Sequence, residues 1–250
     1  MRLRICHLYP DLMDLYGDRG NIITLEQRCS WRGIEVETGR FSLGQSLDFR
    51  EWDILFFGGG SDREQGLLYE DLCRRRENMA AAIEDGLVVL GVCGGLQLMG
   101  KYYQTVSGER IPGVEILDLW TVAGEKRLIG NICLELGFLK DPCQPDRLNP
   151  VQTVVGFENH SGQTFLGKVQ PLGRVVKGFG NNGKDNLEGV HYKNVFGTYL
   201  HGPLLPKNPH LADHLLGLAL ERRWGARRLE LLDDSLEFSA HTYMVNKLNQ

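Results

Sequence analysis

At 250 residues the chain is long enough to bury a full core, as one large domain or two small ones. Hydrophobic content of 42%, charged content of 24% and a formal net charge of -4 are those of an ordinary globular protein, without the basic footprint of a nucleic-acid binder. Six cysteines (positions 6, 29, 73, 93, 133 and 143) are too few for a disulfide scaffold and hold no C-x-x-C pair for zinc, while the N-terminus lacks a signal-peptide core and no apolar run spans a bilayer, so the expectation is a cytoplasmic chain with reduced thiols.

Residues 3–9 read as a first strand closed by Pro10, followed by the turn-rich Leu15-Tyr16-Gly17-Asp18-Arg19-Gly20-Asn21 and a helix over about 22–32 with Gly33 behind it. Alternation at period two makes 34–38 a second strand, and 52–57 is a third, ending in Gly58-Gly59-Gly60. Leu68, Leu72, Met79 and Ile83 lie at helical spacing within a helix over about 65–84. A fourth strand, 87–92, runs into Cys93, and a helical pattern begins directly after it. This alternation predicts an α/β fold, a parallel sheet with helices on both faces.

From Gly113 the texture becomes more strand-like. Segments 113–122, 127–135, 152–157 and 163–169 look extended, with Pro142, Pro145 and Pro150 marking an irregular connection. Asn181-Asn182-Gly183 signals a turn, 195–200 is another strand ending at His201-Gly202-Pro203, and 209–224 is an amphipathic helix before a weakly specified tail. No composition break or repeat forces a division, so one domain over 1–250, with its core in about 3–224, is expected.

The chemistry centres on Gly91-Val92-Cys93-Gly94-Gly95. A thiol between glycines at a strand-to-helix turn has the form of a nucleophile elbow, and the helix start favours the thiolate; a cysteine merely buried in a strand is the plainer alternative. A cysteine nucleophile needs a base. Among seven histidines His201 stands out because it too ends a strand, which puts it on the same sheet edge as Cys93. His210 and His214, spaced i,i+4, read as a solvated helix face; His7, His191 and His241 as structural residues; His160 lies in a polar loop that could border the site. Oxyanion donors are expected from the Gly94 amide and from the triple glycine, through Gly59 and Gly60.

Together Gly91-Val92-Cys93-Gly94-Gly95-Leu96-Gln97, Gly58-Gly59-Gly60 and Tyr199-Leu200-His201-Gly202 resemble the class I (triad) glutamine amidotransferases. Gly156-Phe157-Glu158-Asn159-His160 places the resemblance in the branch that contains cobyric acid synthase. Phe57 through Gln65, Gly189 through Asn194, Gly197 through Pro203 and Leu15 through Ile23 resemble more narrowly the amidotransferase subunits of lipid II isoglutaminyl synthase, over about residues 5–215. The resemblance implies a flavodoxin-like, mostly parallel sheet with added antiparallel strands. It implies hydrolysis of L-glutamine through a thioester on Cys93, with His201 relaying protons, Gln97 helping to hold the substrate and Arg127 gripping its carboxylate. It further implies a heterodimer with a MurT-like Mur ligase, which would bind lipid II, ATP and Mg and use the ammonia to amidate the D-glutamate α-carboxylate of the peptidoglycan stem peptide. No cofactor or metal is expected in this chain, which carries no phosphate-binding G-x-x-x-x-G-K-[ST] loop.

One departure concerns the triad. The position two residues after His201, where many class I enzymes carry Glu, is Pro203. No orienting carboxylate is supplied locally, and the expectation is that an acidic residue of the partner completes the triad. Rival readings are a cobyrinate-type amidotransferase subunit, a peptide-directed cysteine hydrolase of similar fold, and a catalytically silent scaffold for a ligase.

Overall fold

The computed structural model describes residues 1–14, 17–139, 152–226 and 228–248. Leu15 and Tyr16 of the early loop motif, and the prolines at 142, 145 and 150, fall outside that set.

The first half alternates as predicted: β1 (Arg2–Leu8), α1 (Arg19–Ser30), β2 (Glu35–Phe41), β3 (Ile54–Phe57), α2 (Asp62–Glu84), β4 (Val88–Val92) and α3 (Gly94–Met99). β5 (Tyr102–Gln104), β6 (Arg110–Pro112), β7 (Leu119–Glu135), β8 (Thr153–Leu166), β9 (Gly173–Lys177) and β10 (Leu187–Glu188) follow. Then come β11 (Val190–Tyr192), β12 (Val195–Thr198), β13 (Leu200–His201), α4 (Pro209–Trp224) and α5 (Ser235–Leu248).

Six strands form one sheet in the order β11-β12-β4-β3-β1-β2, parallel except for β11. Its two faces follow the period-two alternation of side chains. Leu3, Ile5, Ile54, Phe56, Val88 and Leu90 pack under α1 and α4, against Ile22, Leu25, Leu211 and Leu215. Cys6, Leu8, Leu55, Phe57, Leu87 and Val89 pack under α2 and α3, against Leu68, Leu72, Met79 and Leu96. The strand order reverses between β1 and β3, and at such a switch the loops leaving the carboxyl ends line a crevice. Leu8 is in register with Phe57, and Phe57 with Gly91, so the loops after β1, β3 and β4 leave at one level.

The added strands make a second sheet, antiparallel except where β5 runs parallel to β7, with β7 paired along most of its length to β8. Expected segments 113–122 and 127–135 are partly merged: β7 starts only at Leu119 and continues through a register shift between Ala123 and Leu128. Expected segments 152–157 and 163–169 are likewise one strand, β8, which takes in the stretch around His160 that had read as a polar loop. The polar run Glu158 to Gly162 disguises a strand because its buried face is itself polar: Glu158 accepts from the Phe179 and Gly180 amides and His160 lies on Tyr199. The chain passes between the two sheets at Gly189, which separates β10 from β11, and at Tyr199, with β12 before it in the first sheet and β13 after it pairing with β8.

Three helical expectations change. α1 starts at Arg19, and α2 at Asp62, where the Ser61 amide donates to Glu64 Oε2 at 2.7 Å, a capping interaction that pulls the start forward. The tail holds α5. His210 and His214 are half-buried rather than a fully solvated face: the His210 ring bonds Thr153 O at 2.9 Å and stacks near Phe238, and His214 packs against Phe138 and Phe196. Among the described residues no helix is long and apolar enough to cross a membrane.

Arg28 of α1 is 1% exposed and joins α4 to the segment before α5. Its guanidinium donates to both oxygens of Asp213 (2.6 and 2.8 Å) and both of Asp234 (2.7 and 3.1 Å). A fork of five donors suits two carboxylates at once. Replacing Arg28 by Met would remove the guanidinium from buried Asp234 and leave Asp213 to Arg32, and the expected loss is about 3–5 kcal/mol in urea unfolding. An unchanged unfolding midpoint would remove Arg28 from the account of stability.

Candidate active site

β4 delivers Cys93 into a turn with φ 52° and ψ -105°, a backbone conformation that a non-glycine residue adopts only under strain of about 1–3 kcal/mol. The Cys93 amide donates to Thr198 O on β12 at 2.8 Å, and its carbonyl accepts from Gln97 N at 3.0 Å. Close approach on the other side holds the turn down. Gly95 N donates to Gly58 O at 3.0 Å, and a Cβ on Gly95 would stand 2.3 Å from Phe57 O.

His201 leaves the second sheet at the end of β13, in register with Phe157 of β8. Its Nδ1 lies 3.2 Å from Oδ1 of Asp18, which is fully buried in the loop that follows β1. Asp18 Oδ2 accepts the Gly59 amide at 3.2 Å. A Cβ on Gly59 would meet His201 Cε1 at 3.3 Å, Asp18 Oδ2 at 3.4 Å and Cys93 Cβ at 3.4 Å, so the three side chains converge on one glycine. A carboxylate that can orient His201 is therefore present within this chain, where the sequence reading looked to a partner. A scan confined to the neighbourhood of His201 misses Asp18 because it lies 183 positions away.

Burial alone would strip the proton from His201, but the bonds to Asp18 and to the Cys93 thiol, together with their negative charge, raise its pKa from 6.5 to about 10. At neutral pH the imidazole is a cation beside the sulfur. α3 spans only six residues, so the positive charge beside Cys93 rests chiefly on His201.

The glycine loop is divided in its work. The Gly59 N–H, expected as an oxyanion donor, is taken by Asp18. Gly60 N sits 3.0 Å from where a Gly94 Cβ would stand, which brings these two amides side by side. Gln65 Nε2 donates to Gln97 Oε1 at 2.8 Å, and Gln97 Nε2 donates to Tyr199 Oη at 3.0 Å. Tyr199 continues to Thr164 (2.6 Å) and Thr164 to Thr121 (2.7 Å), a buried polar chain beneath the turn. These bonds tie the Gln97 side chain to α2 and Tyr199 and leave one N–H and one lone pair of its amide over.

Arg127 stands exposed at the β7 irregularity, and its Nη1 donates to Asn159 Oδ1 at 2.7 Å. His160 is buried, lies flat on Tyr199 at 3.8 Å and bonds Gly162 O at 2.7 Å through Nδ1. Burial, reinforced by the charges of His201 and Arg127, lowers its pKa to about 4 and keeps the ring neutral. Two further acids were not singled out in the sequence. Glu158 accepts from Phe179 N and Gly180 N, while Glu188 accepts from Thr198 Oγ1 and Tyr199 N. Burial raises the Glu188 pKa to about 8, so this acid holds its proton at neutral pH and adds no full negative charge behind His201. Among the described residues no group of three His, Cys, Asp or Glu is placed to hold a metal ion.

A cysteine on a strained strand-to-helix turn, flanked by a protonated His–Asp pair at the carboxyl edge of a doubly wound sheet, can run acyl transfer through a thioester. The family profile of the CobB/CobQ-like glutamine amidotransferase domain matches residues 4–209, and the chain belongs to that family. It is a glutamine amidotransferase. Its relatives include "Lipid II isoglutaminyl synthase (glutamine-hydrolyzing) subunit GatD" of Staphylococcus aureus (strain N315), 41% identical over 99% of this chain and 97% of that one. The GatD of Streptococcus pneumoniae (strain ATCC BAA-255 / R6) is 42% identical over 90% of this chain and 83% of its own length. A probable cobyric acid synthase of Methanothermobacter thermautotrophicus is 35% identical over 82% of this chain but only 40% of its own. A solved glutamine amidotransferase superposes over 86% of this chain and 98% of its own, with TM-score 0.54 at 18% identity, which establishes the shared fold alone.

Asp18→Asn tests the pair. The raised His201 pKa contributes stability that is complete below about pH 6.5 and is lost as pH climbs through about 10. In the variant the His201 ring, followed by NMR, should titrate well below about 10. The stability deficit against wild type should be present near neutral pH and should close above about pH 10. A titration unmoved by the substitution would separate Asp18 from His201.

Proposed function

We propose that this chain is the glutaminase subunit of a lipid II isoglutaminyl synthase. The observation that carries the reading is the convergence of Cys93, His201 and Asp18 on Gly59, in a chain similar to GatD over nearly its whole length. The Cys93 thiolate attacks the side-chain amide carbon of L-glutamine, and the oxyanion that forms is received by the Gly94 and Gly60 amides. Protonated His201 gives its proton to the departing nitrogen, so ammonia leaves and a γ-glutamyl thioester remains. Neutral His201 then takes a proton from water as the hydroxyl attacks the thioester, and collapse releases glutamate and restores the thiolate–imidazolium pair. Asp18 holds the ring through Nδ1, which leaves Nε2 to serve the sulfur. Arg127 receives the substrate carboxylate, a task that suits a planar fork of donors.

The ammonia passes to a MurT-like Mur ligase in a heterodimer. That partner binds lipid II, ATP and Mg and amidates the D-glutamate α-carboxylate, a cytoplasmic step of peptidoglycan synthesis that supports the cell wall and cell shape.

Labelling with 6-diazo-5-oxo-L-norleucine and peptide mapping tests the nucleophile. Because Asp18 lies in the same chain, the isolated protein should carry the adduct on Cys93, and the partner should change the rate only modestly. Cys93→Ala should abolish labelling and lower glutamine hydrolysis by at least about a thousandfold. Labelling strictly dependent on the partner would restore the partner-supplied acid, and none in either state would favour a silent scaffold. With the ligase added, amidation of lipid II but not of a corrinoid acid separates this acceptor from the cobyrinate-type alternative.

A further inference from the structure

The stretch after α4 lies beyond residues 4–209 matched by the family, yet it is tied into the site at two points. The first is Asp234, 5% exposed, whose oxygens accept from Arg28 Nη1 and Nη2 at 2.7 and 3.1 Å. Arg28 belongs to α1, and Asp18 is the residue immediately before that helix. The second is His241 of α5, 2% exposed. Its Nδ1 lies 3.0 Å from Lys207 O and 3.1 Å from Asn208 Oδ1, and its Nε2 lies 2.9 Å from Thr153 Oγ1. With Nδ1 donating to the carbonyl and Nε2 accepting from the hydroxyl, the neutral ring is held in one tautomer.

From residues 207 and 208 the contacts lead straight to His201. Lys207 Nζ donates to Gly202 O at 2.8 Å, and Asn208 Nδ2 donates to Leu204 O at 2.6 Å. The same loop presses on the start of α1: Leu205 N donates to Asn21 Oδ1 at 2.9 Å, and a Cβ on Gly20 would stand 2.4 Å from Pro203 Cγ. The Asp18–His201 distance of 3.2 Å already exceeds the roughly 2.7–2.9 Å of a good charge-assisted bond, so any further separation weakens it.

We infer that the segment from Asp234 to His241 is a positioning element of the active site, holding Asp18 through Arg28 and α1, and His201 through Lys207 and Asn208. The inference rests on the proposed roles of Cys93 and His201. Asp234 and His241 touch no substrate; they act by keeping the two halves of the His–Asp pair in register. A purely structural tail would stabilise the fold without favouring this pair.

Full-length Asp234→Asn, His241→Ala and His241→Asn separate the two accounts, with Met79→Ala in the α2 core as a reference for general destabilisation. Asn at position 241 keeps a donor where Nδ1 stands. In Asp234→Asn and His241→Ala the His201 ring titration, read by NMR, should fall by about half a pH unit or more. kcat for glutamine should drop about fivefold to twentyfold with KM nearly unchanged. His241→Asn should recover most of both, and Met79→Ala should lower Tm while moving neither. If Asp234→Asn and His241→Ala change the titration and kcat no more than Met79→Ala does, the inference fails. If the titration moves and turnover does not, the positioning element stands and the catalytic assignment of His201 falls.

Discussion

Everything near the site answers to one backbone constraint: a cysteine held at φ 52° where β4 becomes α3. That conformation persists only where the surroundings leave the chain no alternative. Here the surroundings are the backbones of two neighbouring strands, Thr198 O on one side and the Phe57–Gly58 carbonyls on the other. Side chains are excluded because there is no room for them. The glycines are the consequence of that crowding, and the exposed direction left to the Cys93 side chain is the one that His201 and Asp18 close.

The second determinant is electrostatic. Buried cations are unstable without partners, yet His201 keeps its proton because Asp18 and the thiol outweigh the loss of water. The layer behind it avoids adding further charge: His160 is neutral at Tyr199, and Glu188 is protonated against the backbone of β12. A buried hydrogen-bonded chain from Gln65 through Gln97, Tyr199 and Thr164 to Thr121 fills the remaining space with paired dipoles. Polarity is thus graded, with the ionic pair at the front and dipoles behind.

Much of the parallel sheet is legible in the sequence because β3 and β4 are short apolar runs and β1 alternates polar with apolar residues, each ended by Gly, Pro or Cys-Gly-Gly. Cys93, His201 and the triple glycine can be read for the same reason: each follows directly on a strand end, where position alone signals the crevice. Asp18 carries no such mark. It sits in a turn-rich loop rich in Gly and Asp, and tertiary contacts, the Gly59 amide on its Oδ2 and the docking of Gly20 on Pro203 among them, aim it at His201. β8 is hidden because Glu158 and His160 look like loop residues, while their burial against loop amides and Tyr199 makes them strand residues. α5 is hidden because a weak sequence pattern is anchored by two tertiary contacts, Asp234 and His241.

The distance along the chain between Asp18 and His201 also imposes a timetable. Closing a loop of 183 residues forfeits about 4–5 kcal/mol of chain entropy, so this contact belongs to the last stage of folding. During synthesis Cys93 precedes His201 by 108 residues, which is about 5–20 s of translation. For that interval the thiol is present without the imidazole that the fold sets beside it.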